Sequence, residues 1–140
     1  MTTPEEHALA DLAEGLKRSV TFVVTDEQMR AFAELSGDFN PLHVDAAFAR
    51  KKGYDGCVVY GALLIAKVSQ LIGMRLPGRD SVWASVSFDF KRPLYVGREA
   101  EVEGTLVNVH HATGMVELGL VIRSEGRVLA KGKAEVVLGT

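Results

Sequence analysis

The chain has one cysteine, Cys57, among its 140 residues, so no internal disulfide can form. That is compatible with a reducing compartment. Charge of one sign is also lacking: the formal net charge is −2, which removes any general electrostatic drive toward nucleic acid or an anionic membrane. No stretch approaches the roughly 20 apolar residues needed to span a bilayer. The start, Met1-Thr2-Thr3-Pro4-Glu5-Glu6, is acidic and has no apolar run of the signal-peptide kind. Internal repeats, low-complexity tracts and metal-ligand spacings are missing too, so neither a repeat architecture nor a metal site is expected. What remains is a chain of one-domain length with 47% apolar and 24% charged residues. That is enough apolar material for a core, and the charged fraction is close to that of ordinary globular proteins. The expectation is a single cytoplasmic domain spanning 1–140, with no bound cofactor, nucleic acid or membrane.

Thr3-Pro4-Glu5-Glu6 reads as a helix start, with Thr3 as N-cap, Pro4 at the first helical position and Glu6 closing a capping box. Leu9, Leu12 and Leu16 follow at helical spacing, so the sequence predicts a helical extension over 1–18. Ser19 to Val24 is β-branched and aromatic, a first strand. Thr25-Asp26-Glu27-Gln28 is a second capping box, and Met29, Phe32 and Ala33 form the apolar stripe of the helix behind it. That helix should stop at Ser36-Gly37. Asp45 suits the N-cap of a short helix over Ala46 to Lys52, with Arg50-Lys51-Lys52 at its negative end.

Between these lies Ser36-Gly37-Asp38-Phe39-Asn40-Pro41-Leu42-His43, a turn-rich loop that Gly37, Asn40 and Pro41 should stiffen. It carries one carboxylate and one imidazole. Gly61-Ala62-Leu63-Leu64-Ile65-Ala66-Lys67-Val68-Ser69 opens a helix that is apolar nearly all round, the pattern of an element buried on most sides. It should run to about Gly73. From Ser81 the period changes to two. Val82, Ala84, Val86, Phe88 and Phe90 make one apolar face, and further strands are expected over Ala100–Val109, Met115–Arg123 and Arg127–Leu138. In the last, Val128, Ala130, Gly132, Ala134 and Val136 should point inward and Leu129 outward. These elements predict an α+β fold, an antiparallel sheet wrapped around one long buried helix.

The block Leu35 to Asp45, with Phe48-Ala49, Gly61-Ala62-Leu63-Leu64, Ser87-Phe88 and Arg92-Pro93-Leu94-Tyr95-Val96-Gly97, resembles the MaoC-like dehydratases, among them the (R)-specific enoyl-CoA hydratases. The resemblance implies a hot-dog fold, a homodimer or dimer of dimers, and active sites at the subunit interface. It implies a hydro-lyase acting on 2-enoyl thioesters of coenzyme A or acyl-carrier protein. Asp38 and His43 match the catalytic pair, and Ser69 falls where a supporting serine is expected. The N–H of Gly61 matches the donor to the thioester oxygen, and Asn40, Tyr60 and Leu64 stand as substrate contacts. Lys91 and Arg92 would lie near the pocket mouth, in reach of carrier phosphates. In one respect the chain departs from the pattern: Tyr60-Gly61 stands where the family commonly has His-Gly.

Each of these residues also has a plainer explanation. Asp38 suits a turn that bonds its own backbone, and His43 suits a structural cap. Ser69 suits back-bonding to the preceding helical turn, and Gly61 suits close packing. His110-His111 fit a hairpin, and Cys57 fits buried packing. A hot-dog thioesterase and a non-catalytic acyl-thioester binder are the competing functions. The first is disfavoured by a long helix without a carboxylate, the second by the intact Asp38-to-His43 block.

Overall fold

The structure is a computed structural model that describes residues 2–139; Met1 and Thr140, the ends of the expected 1–140 span, lie outside the described residues. Five antiparallel strands form one sheet in the order β1-β3-β4-β5-β2. They are β1 (Lys17–Val23), β2 (Ser81–Phe90), β3 (Glu99–His110), β4 (Met115–Ser124) and β5 (Arg127–Leu138). Four helices, α1 (Asp26–Ser36), α2 (Pro41–Val44), α3 (Ala46–Lys51) and α4 (Gly61–Met74), fill the connections from β1 to β2.

The locally encoded elements form as the sequence predicts. Thr25 Oγ1 accepts from the Gln28 N–H and Gln28 Oε1 from the Thr25 N–H, both at 3.2 Å, closing the capping box of α1. Gly37 ends that helix with φ of 75°, a left-handed conformation suited to glycine. Asp45 caps α3 through the Phe48 N–H.

The core lies between α4 and the inner sheet face. Leu63, Leu64, Val68, Leu71 and Ile72 of α4 are buried against Val102, Leu106, Leu118, Leu120 and Ile122. Such side chains are worth roughly 1.5–3 kcal/mol each when fully buried. Gly104 makes the seat: a Cβ there would come within 2.7 Å of Leu71 Cδ2. The opposite stripe of α4, with Ala62, Ala66, Ser69 and Gln70, is exposed, so the helix is sheltered on one side rather than on most.

Three expectations fail for physical reasons. The helix expected over 1–18 does not form among the described residues 2–18, which are irregular apart from a 3-10 turn at Leu9–Asp11, a turn at Glu14-Gly15 and the start of β1. Its Glu5 carboxylate is taken by Arg18 and Arg75, its N–H donates to the Met74 carbonyl, and its carbonyl accepts from the Arg79 N–H. The segment thus straps the C-terminal end of α4. Leu12 is still buried. The apolar face expected for β2 is largely open, with Val82 63%, Val86 42% and Phe90 51% exposed. β2 is an edge strand, and a register shift between Trp83 and Ser85 turns Trp83 rather than Val82 toward the core. In β5, Leu129 is buried; its carbonyl accepts from the Lys91 and Arg92 N–H groups, which close over it.

Burial pushes the Glu5 carboxyl up, but the hydrogen bonds and charges of Arg75 and Arg18 outweigh it and hold the group below its ordinary value of 4.5. A carboxyl lowered on folding adds stability above its unfolded pKa and loses that contribution as pH falls through the folded value. Glu5→Gln should therefore lower Tm at pH 7 by about 2–4 °C, the shift for roughly 1 kcal/mol in a chain of this size. The gap to wild type should close as pH drops below the ordinary carboxyl range, which thermal melts across pH would read.

Candidate active site

The loop from Ser36 to His43 is held by a relay of side chain-to-backbone hydrogen bonds. Ser36 Oγ donates to the Phe32 carbonyl at 2.7 Å and accepts from the Asp38 N–H at 3.1 Å. Asp38 Oδ1 accepts from the Asn40 N–H, and Asn40 Oδ1 from the Leu42 N–H, each at 3.0 Å. The second bond caps α2, a one-turn helix that Pro41 opens and that carries His43. The plain turn reading of Asp38 is therefore correct for one carboxylate oxygen. Oδ2 takes no part in that turn.

His43 is fixed through its ring. Nδ1 lies 2.6 Å from the Val58 carbonyl, whose own N–H donates to the Leu42 carbonyl at 3.1 Å. A carbonyl can only accept, so Nδ1 carries the proton and a neutral imidazole keeps its lone pair on Nε2. The ring stacks on Tyr60, centroids 4.1 Å apart and planes 26° apart.

His43, Gly61 and Leu64 share one open cleft of about 300 Å³, bounded on the far side by Phe90, Lys91 and Arg92. Gly61 is the first residue of α4, and its N-cap Tyr60 supplies no side-chain cap bond. The first N–H groups of the helix are thus left without a side-chain acceptor, at the positive end of the helix dipole. Packing is tight here as well: a Cβ at Gly61 would lie 3.2 Å from Cζ of the half-exposed Phe90 ring, which would have to give by a few tenths of an ångström.

The other expected site residues are placed differently. Asp38 and Asn40 are exposed on the loop beside the cleft and do not line it in the single chain. Tyr60, expected as a substrate contact, is 2% exposed and lies behind the cleft wall, its hydroxyl donating to the Asp38 carbonyl at 2.7 Å. Ser69 is exposed on α4, eight residues or about 12 Å of helix beyond Gly61, and is not in the cleft. Leu64, expected as a substrate contact, lines the cleft, whereas its neighbours Leu63 and Val68 on α4 do not.

Sequence reasoning missed Val58, whose carbonyl sets the His43 tautomer, because a backbone acceptor has no residue-type signal. Lys91 and Arg92 do reach the cleft. Burial, then the carboxylates of Asp26 and Asp45, push the Cys57 thiol up, which leaves it a poor nucleophile. His110 pairs at 3.8 Å with Glu117 beside the β3–β4 turn.

An amide oxygen accepts a hydrogen bond as a carboxylate oxygen does, so Asp38→Asn should keep the turn and Asp38→Ala should lose it. Denaturant titration should find Asp38→Asn within about 0.5 kcal/mol of wild type and Asp38→Ala lower by about 1 kcal/mol.

Known proteins share this architecture and sequence. The (R)-specific enoyl-CoA hydratase of Aeromonas caviae is 38% identical over 112 residues, covering 79% of this chain and 84% of the relative. The (R)-specific enoyl-CoA hydratase of Rhodospirillum rubrum is 26% identical over 132 residues, covering 94% and 92%. The solved structure of the A. caviae (R)-hydratase superposes with a TM-score of 0.88 at 34% identity, over 92% of this chain and 98% of that one. An R-hydratase from Pseudomonas aeruginosa superposes with a TM-score of 0.87 at 27% identity, over 93% and 84%. The α+β arrangement is the hot-dog fold of these hydratases. With residues 9–125 matching the MaoC like domain family throughout, the chain belongs to that family.

Proposed function

We propose that this protein is a hydro-lyase that reversibly adds water across trans-2-enoyl thioesters to give (3R)-hydroxyacyl thioesters. The observation that carries the reading is His43: its Nδ1 is committed to the Val58 carbonyl, so Nε2 is the basic nitrogen of a ring lining the same cleft as Gly61. Family membership and the (R)-specific hydratases among its relatives support the same chemistry.

In the proposed reaction Asp38 and His43 hold one water. One of them takes a proton as the water oxygen bonds to C3, the C2–C3 π electrons move onto the thioester carbonyl, and a proton is returned to C2. Negative charge builds on the carbonyl oxygen, where the Gly61 N–H receives it; loss of such a donor costs about 2.7–4 kcal/mol in other enzymes. Lys91 and Arg92 at the cleft rim suit the phosphates of an acyl carrier.

The active unit in this reading is a homodimer. Leu35 (85% exposed) and Phe39 (59%) flank the Asp38 loop, and Val86 and Phe90 lie open on the edge strand. A second copy covering this apolar surface would supply the wall that Asp38 and Ser69 lack in one chain. Ser69 then takes the supporting role.

Hydration of crotonyl-CoA, followed by loss of enoyl absorbance, tests the chemistry. Asp38→Asn and His43→Ala should each lower the rate by about 100-fold or more while remaining folded, and the product should be the R enantiomer. Wild-type rates in both variants would overturn it. Light scattering should give twice the chain mass, and Phe39→Asp should shift it toward the monomer with a parallel loss of turnover.

A further inference from the structure

Tyr60 is the point where the parts of the site meet, although it does not line the cleft. Its hydroxyl donates to the Asp38 carbonyl at 2.7 Å, and its ring stacks on His43 at 4.1 Å. Phe32 packs against the same ring, centroids 4.8 Å apart and planes 46° apart. Tyr60 is also the N-cap of α4, so Gly61 is bonded directly to it. A phenol with 2% exposure must satisfy its hydroxyl or carry the cost of a stranded polar group. Here the acceptor is the backbone of an exposed loop residue 22 positions earlier. Burial, then the nearby Asp38 carboxylate, push the Tyr60 hydroxyl above its ordinary value, which keeps it protonated and a donor.

We propose that Tyr60 is the positioning residue of this active site, setting the spacing between the Asp38 loop, the His43 imidazole and the Gly61 amide through its hydroxyl bond and ring stack. The assignment rests on the hydratase reading of Asp38 and His43. The loop relay from Ser36 to Leu42 fixes the shape of the bend through local bonds, and Val58 anchors its far end at Leu42 and His43. The Tyr60 hydroxyl ties the bend to the buried end of α4. The Val58 carbonyl fixes which nitrogen of His43 is protonated, and the Tyr60 ring restrains the tilt of the imidazole plane. Since Tyr60 has no place in the cleft, removing its hydroxyl should disturb alignment and leave substrate binding unaltered.

Tyr60→Phe keeps the ring and removes one neutral hydrogen bond. Against crotonyl-CoA it should lower kcat about 3- to 10-fold, the equivalent of one such bond, while KM stays within about twofold. Combined with Asp38→Asn, the hydroxyl deletion should cost nothing further, since its effect passes through Asp38. Tyr60→Leu should lose more than Tyr60→Phe and should move the His43 ring proton resonances in NMR spectra, which Tyr60→Phe should leave near their wild-type positions. A lowered Tm with unchanged kcat and KM, a rise in KM alone, or full additivity with Asp38→Asn would overturn the proposal. If the wild type turns over no enoyl thioester, the hydratase reading fails by itself. The proposal that Tyr60 restrains His43 is then judged by the ring resonances, and an unshifted His43 in Tyr60→Leu would overturn it.

Discussion

Burial of one face of α4 in the curl of the sheet is the constraint on which the rest depends. Five apolar side chains of that helix are buried in one cluster with inward side chains of the sheet, and Leu71 enters the space left by Gly104. At roughly 1.5–3 kcal/mol for each fully buried side chain, this contact is large beside a net folding stability of about 5–15 kcal/mol. Its direction matters as much as its size. The seated helix holds its N-terminus at the cleft and its C-terminus under the strap of Glu5, Arg18 and Arg75. The site and the strap are thus at opposite ends of one rigid element.

The polar half of the site is made differently, from hydrogen bonds that each serve two purposes. Ser36 ends α1 and orders Asp38; Asp38 makes the turn with one oxygen and keeps the other; Asn40 caps the helix that carries His43. A turn bond through one carboxylate oxygen leaves the other without a part in the turn, so the turn duty of Asp38 does not by itself exclude a chemical one. The same holds for Gly61, whose missing Cβ admits the Phe90 ring while its N–H lies at the start of a helix.

Against this ordered interior stands an open border. β2 has a partner on one side only, and the apolar residues it carries, with Leu35 and Phe39 on the loop, remain in contact with solvent. A strand read as one buried face is half bare in the single chain. Alternating residue types record where a strand wants to be covered, and that cover need not come from the same chain.

What the sequence determined by itself was whatever depends on neighbours a few residues away. The capping box at Thr25, the Asp45 cap, the extent of α4 and the last three strands within a residue or so all follow from local bonding and periodicity, and they form as read. The loop marked out His43 by its residue types, the family resemblance singled out Gly61 and Leu64, and the fold brings all three to one cleft. The tertiary structure alone decided the rest. Thr3 to Glu6 has every local mark of a helix start, yet an arginine 70 residues away takes its carboxylate. A bulge re-aimed Trp83, and Tyr60 left the cleft for a carbonyl on another loop. A side chain's reach, its burial and the partner at its tip are properties of three-dimensional neighbours, and residue order along the chain does not encode which of them arrives first.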